Sequence, residues 1–132
     1  MQISNFNVEI LAAAWNRLDI EILVPQISEN FSYESQYVFK GIQSKAEFIE
    51  YLEAKFNAIR LLKEAGRMTV IAEVGIVPSL NNKTCVILSQ LGSGIEEKVL
   101  LVIKEDQSLI TAITVCFIPD PNTAIRLGIF PQ

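Results

Sequence analysis

The chain contains no histidine. That absence removes Ser-His-Asp and Cys-His nucleophilic sets and takes away the commonest partner of a structural or catalytic zinc. Only two cysteines occur among the 132 residues, Cys85 and Cys116, and both sit in β-branched runs rather than in loops at ligand spacing. They read as reduced core thiols of a cytoplasmic chain, with neither a metal nor a disulfide framework expected. Charge is also scarce: a fifth of the residues are charged, the net charge is -4, and Lys and Arg nowhere form a block. Nucleic acid, whose phosphates call for clustered cations, is therefore not an expected partner. No apolar run approaches the ~20 residues of a membrane span, and the start of the chain lacks a basic stretch followed by an apolar one. A soluble protein with no membrane partner is the expectation. Cofactor motifs are missing too. Gly92-Ser93-Gly94 has no third glycine and no Gly-Lys-Ser/Thr ending, so it reads as a hairpin turn. Asp120-Pro121-Asn122 is too short a carboxylate cluster for a calcium loop and reads as a turn. No cofactor is expected.

What the chain has in excess is apolar surface, half of its residues being hydrophobic. Its length suits a single domain, residues 1–132, able to bury roughly two thirds of its unfolded surface, and the surplus favours a pocket or a partner. Val8, Leu11, Ala12, Trp15 and Leu18 recur at helical spacing after a possible cap at Ser4 or Asn5. Asp19 then caps a second helix that Pro25 must shorten or kink. From Phe31 to Phe39 the odd positions Phe31, Tyr33, Ser35, Tyr37 and Phe39 are mostly aromatic and the even ones mostly polar, the pattern of a strand with one buried face. After Gly41, Ser44-Lys45-Ala46-Glu47 has capping-box spacing, and Phe48, Leu52, Phe56, Ile59 and Leu62 line one face of a long helix that Gly66 is placed to stop. Four apolar runs follow, Met68 to Val77, Thr84 to Leu91, Lys98 to Lys104 and Leu109 to Ile118, and their short connections make them antiparallel neighbours. The prolines beyond Phe117 predict a non-helical tail over the surface.

Helices, a strand, a long helix and then an antiparallel meander is an order that resembles the nuclear transport factor 2-like superfamily, in particular its ketosteroid isomerase-like and SnoaL-like polyketide cyclase branch. The residues that carry the resemblance are Asn16-Arg17-Leu18-Asp19-Ile20-Glu21, similar to the branch's helix corner, the strand Phe31 to Gln36, then Gly41 and Glu47-Phe48. The resemblance implies an α+β fold in which N-terminal helices pack in the concave face of a curved, mostly antiparallel sheet, a cone-shaped half-barrel with a pocket at its open end. In the isomerases an aspartate on the first strand moves a proton while a tyrosine on the first helix helps hold the oxyanion. The matching positions here hold Ser35 and Leu11. A serine without a helper base cannot take a proton at neutral pH, so isomerase activity is not expected.

The candidate ligand-binding residues are Leu11, Trp15, Tyr33, Ser35, Tyr37 and Phe56, with Glu34 turned to the opposite face by strand alternation. Glu73 interrupts an apolar run and reads either as a residue of the exposed sheet face or as a buried acid or base; Tyr33 is the other candidate acid or base. Arg60 reads as a solvated residue or an anion clamp. The expected function is binding of a small apolar molecule, the alternatives being a cyclase- or dehydratase-type enzyme using Glu73 or Tyr33 and a non-catalytic association module. Val99 to Ile103 is apolar at both parities, which predicts a homodimer through the outer sheet face.

Overall fold

The computed structural model describes residues 5–36 and 38–132, with side chains outside 38–40. Helix α1 runs Phe6–Arg17 and buries its Val8, Leu11, Ala12 and Trp15 stripe. Asn5 stands at its cap position without a side-chain bond to the helix, and Ser4 lies outside the described residues. Leu18 ends the helix in the left-handed region (φ 53°). Asp19 Oδ1 then accepts from the Glu21 amide at 3.0 Å. The second helix is cut to two 3-10 turns, Ile20–Ile22 and Val24–Gln26 with Pro25 inside the latter, as the proline requires.

Strand β1 (Ile27–Ser35) and β2 (Val38–Ile42) form a hairpin. This corrects the single strand expected from Phe31 to Phe39. The chain reverses between Ser35 and Val38, a stretch without Gly or Asn to announce it, and Ser35 pairs with Val38 and Tyr33 with Ile42, so even positions of β2 stand opposite odd positions of β1. Tyr37 itself lies outside the described residues.

Helix α2 (Lys45–Glu64) starts where Ser44 Oγ accepts from the Glu47 amide at 3.1 Å. It closes with Gly66 at φ 70° and an Arg67 N–H to Leu62 O bond of 2.8 Å, a reverse turn that a residue with a Cβ would strain. The meander is β3 (Met68–Val77), β4 (Lys83–Gly92), β5 (Ile95–Asp106) and β6 (Leu109–Cys116), consecutive strands antiparallel. Gly92 belongs to β4, because the β4–β5 turn is Ser93-Gly94, both at positive φ (54° and 75°). The tail adds a seventh strand, β7 (Ile125–Ile129), which pairs antiparallel with β3. The expected surface tail is thus an edge strand. Sheet order is β2-β1-β6-β5-β4-β3-β7, and β1 on β6 is the parallel pair.

The sheet has two apolar faces. On the inner one Ala72, Val74, Val86, Leu88, Leu101, Ile103 and Ile113 join Leu11, Trp15, Phe48, Leu52 and Phe56 from the helices in the main core. On the outer one Val77, Cys85, Ile87, Leu100 and Cys116 form a second, small core with Ala124. Leu100 is completely buried and Val102 packs onto the same cluster. The doubly apolar run Val99 to Ile103 is accordingly covered on both sides within one chain. It leaves no open patch of the kind expected to drive pairing, because the tail around Pro121 and Ala124 folds over it. Gly75 shows how tightly this outer layer sits: a Cβ there would come within 2.5 Å of Ile87 Cδ1. No helix among the described residues is long and apolar enough to cross a membrane.

Candidate functional site

Two side chains fix the open end of the cone. Asn16 sits just past Trp15, and its Nδ2 donates to Ala72 O (2.8 Å) and Pro131 O (2.7 Å) while its Oδ1 accepts from the Ala72 amide (2.7 Å). One amide thus completes the edge of β3 beyond the residues that β7 pairs, and ties α1 to both. Arg60 on α2 donates through Nη2 to Leu18 O and through Nη1 to Asn57 Oδ1 (2.6 Å). Rather than clamping an anion, it holds the carbonyl of Leu18, the residue that caps α1, so Trp15 is held between two anchored helices.

In front of Trp15 lies a cavity of about 530 Å³. Trp15, Tyr33 and Ser35 line it, together with Ile42 of β2 and Leu88, Val99, Leu101 and Val115 of the sheet. Glu34 is exposed and turned away from it, as alternation requires. Of the other residues singled out from the sequence, Leu11 and Phe56 are each 1% exposed and belong to the packed core rather than the cavity wall. The base of the cone is filled with Phe31, Phe48 and Leu52, so the hollow stops short of Leu11. Phe56 supports Trp15 from behind, edge to face at 4.9 Å.

Glu73 is in neither environment expected of it. It lies on the outer face yet is 4% exposed, accepting from Arg126 Nε at 2.8 Å and from the Gly128 amide at 2.9 Å. Sheet alternation puts it on the face opposite the cavity, and β7 takes up both its oxygens. It is a fastening for the tail and does not reach any group in the cavity.

Four polar residues of the wall were not singled out from sequence: Tyr51 and Lys55 of α2, and Gln90 and Glu97, a cross-strand pair of β4 and β5. A signal for the first two exists. Positions 48, 51, 52, 55, 56 and 59 make one helical stripe, and Lys55 is the cation standing in it. Its Nζ lies 5.8 Å from the Tyr51 ring centre and 6.0 Å from that of Trp15. Tyr33 and Tyr51 are 5.5 Å apart, centre to centre. Burial holds the Tyr33 phenol above the ordinary tyrosine range, reinforced by the charge and hydrogen bond of Tyr51. Tyr33 is therefore a neutral phenol near neutral pH, a donor and not a base. Among the described residues no group of three or more His, Cys, Asp or Glu side chains is gathered as a metal ion would need.

An α+β cone with helices in its concave face and a hollow at its open end is the nuclear transport factor 2-like fold, and that is the fold of this chain. Comparable structures include a nuclear transport factor 2-like protein of unknown function from Cytophaga hutchinsonii, 15% identical, covering 92% of this chain and 96% of that one at a TM-score of 0.61. A protein assigned to the SnoaL-like polyketide cyclases, from Jannaschia sp. CCS1, is 12% identical over 88% of each chain at 0.60. A de novo designed protein with a curved β-sheet is 10% identical, over 91% of this chain and 95% of that one, at 0.63. No family model and no curated protein matches the sequence. At such identities the likeness is one of fold, which hosts many functions.

Proposed function

We propose that the chain is a binding protein for a small, largely apolar molecule, held in the cavity in front of Trp15. The observation that supports this most directly is the cavity itself: about 530 Å³, walled by Leu88, Val99, Leu101, Val115, Ile42 and three aromatic rings, with a few polar groups from α2 and from the β4–β5 pair. That is the size and make-up of small-molecule sites in general. A cytoplasmic setting fits the two free thiols.

The cyclase- or dehydratase-type alternative is weakened by the position of Glu73 and keeps Tyr33, an acid for which Ser35 supplies no base. Ketosteroid isomerisation is not expected on the same ground. The test uses Trp15, the only tryptophan of the chain, as a built-in reporter. Titration with phenylbutyramide, a neutral apolar amide, should change Trp15 emission saturably and give matching heat by calorimetry. Val99→Trp, which fills the hollow, should weaken that binding at least ~10-fold, with Val99→Ala as the folding control, and Glu73→Gln should leave it unchanged. Binding of phenylbutyramide that persists in Val99→Trp, or no binding by the unmodified chain, would reject the reading.

A further inference from the structure

Among the described residues the cavity wall carries one cation, Lys55, and no carboxylate is within ion-pairing distance of it. Ion pairs among the described residues join Lys45 to Glu29, Lys98 to Glu96 and Arg126 to Glu73. Lys55 has no such partner, although it sits in the apolar stripe of α2 with its stem half-buried and its ammonium near the Trp15 and Tyr51 rings. A lysine packed this way gives up part of its hydration, and aromatic faces return only part of it. Glu97, on the far wall, does not come within ion-pairing distance of Lys55 and is exposed, so its own charge stays hydrated. Tyr51 lies beside Lys55 and Tyr33 beside Tyr51, and Tyr33 keeps its proton. The helix side of the hollow therefore offers a cation and a hydroxyl donor, and the sheet side offers Leu88, Val99, Leu101 and Val115, with Gln90 and Glu97 as its polar members.

Resting on the binding function proposed above, we infer that the ligand is an apolar acid: a hydrocarbon or aryl body packed on the sheet side, with a carboxylate held by Lys55 and the neighbouring tyrosine hydroxyls. Such a carboxylate gains charge-assisted hydrogen bonds in a partly dehydrated site, while a neutral amide of the same shape gains only ordinary ones. The cation lies on the helix side and the carboxylate of Glu97 on the sheet side, which turns an acid ligand's carboxylate toward α2.

Two isosteric probes separate this inference from the reading beneath it. Phenylbutyrate should bind roughly tenfold more tightly than phenylbutyramide at low salt, and the preference should shrink as salt is added. Lys55→Gln should abolish the preference by weakening phenylbutyrate binding and leaving phenylbutyramide binding in place. Lys55→Arg should retain the preference, and Glu97→Gln, which removes a carboxylate from the wall, should enlarge it. If the two probes bind the unmodified chain equally, or the preference survives in Lys55→Gln, the acid inference is overturned while the cavity reading stands. If neither probe binds, the cavity reading falls and takes the inference with it.

Discussion

At the scale of single residues, several side chains work differently from what their type suggests. Asn16 acts as a length of strand edge, Arg60 as a cap for α1 and Glu73 as a tether for the tail. The two thiols show what burial does to a titrating group. Cys85 is raised from an ordinary 9.0 to about 12, first by desolvation and then by the nearby Cys116, which burial also raises. The folded chain holds the Cys85 proton where the unfolded chain has lost it, so the stabilisation is complete below about pH 9 and is lost as the pH climbs toward 12. Urea unfolding between those limits should show stability falling with pH. The slope should be shallower in Cys85→Ala by up to one proton, about 1.4 kcal/mol per pH unit at most. Equal slopes in the two proteins would contradict this assignment.

At the scale of elements, β7 is the decisive one. It covers the edge of β3, takes both oxygens of Glu73 and leads to Pro131, whose carbonyl Asn16 holds. Arg126 is two-thirds exposed, so its ion pair is screened by solvent and contributes little by itself. The larger effect is the loss of the strand as a unit: its ladder to β3, both bonds to Glu73 and the Asn16 bond to Pro131 go together, while Glu73 itself opens to water. Deleting residues 125–132 should therefore destabilise the chain by about 2–4 kcal/mol, several hydrogen bonds at roughly 0.5–1.5 kcal/mol net each. It should also lower solubility, because β3 becomes an open edge. Denaturation of the truncated chain beside the full one measures the first effect. A loss under ~1 kcal/mol, the range of a surface salt bridge, would show that β7 is an ornament on the sheet rather than part of it.

At the scale of the whole molecule, the outer sheet face remains the place where we propose that two copies meet, though not through Val99 to Ile103, which the chain covers itself. The exposed apolar residues there are Ile71 and Leu91, at 46% and 50%, with Ile118 at 67% beyond the end of β6. A two-fold contact would bring such a face against its own copy. Light scattering at micromolar concentration should give the mass of a dimer for the unmodified chain and of a monomer for Ile71→Glu combined with Leu91→Lys. A monomeric unmodified chain would end the proposal.

Periodicity in the sequence was enough to determine α1, the Ser44 start and Gly66 stop of α2, the four meander strands within a few residues, the short proline-bearing second helix and the inward face of Tyr33 and Ser35. Each of these follows from neighbours three, four or two positions away, which is the range over which helix and strand spacing act. Only the tertiary structure decided the rest. The β1–β2 turn carries no turn-forming dipeptide, so it is set by pairing rather than by local preference. β7 reads as proline-rich tail because Pro119, Pro121 and Pro131 flank it, and the alternation of Ile125, Leu127 and Ile129 with Arg126 and Gly128 spans only five residues. Whether Glu73 faces solvent or protein depends on that tail, 53 residues away in sequence at Arg126. Leu11 and Phe56 share their helix faces with Trp15 and Lys55, and which of them meets the hollow and which fills the core is set by depth in the cone, a distance that no one-dimensional pattern records.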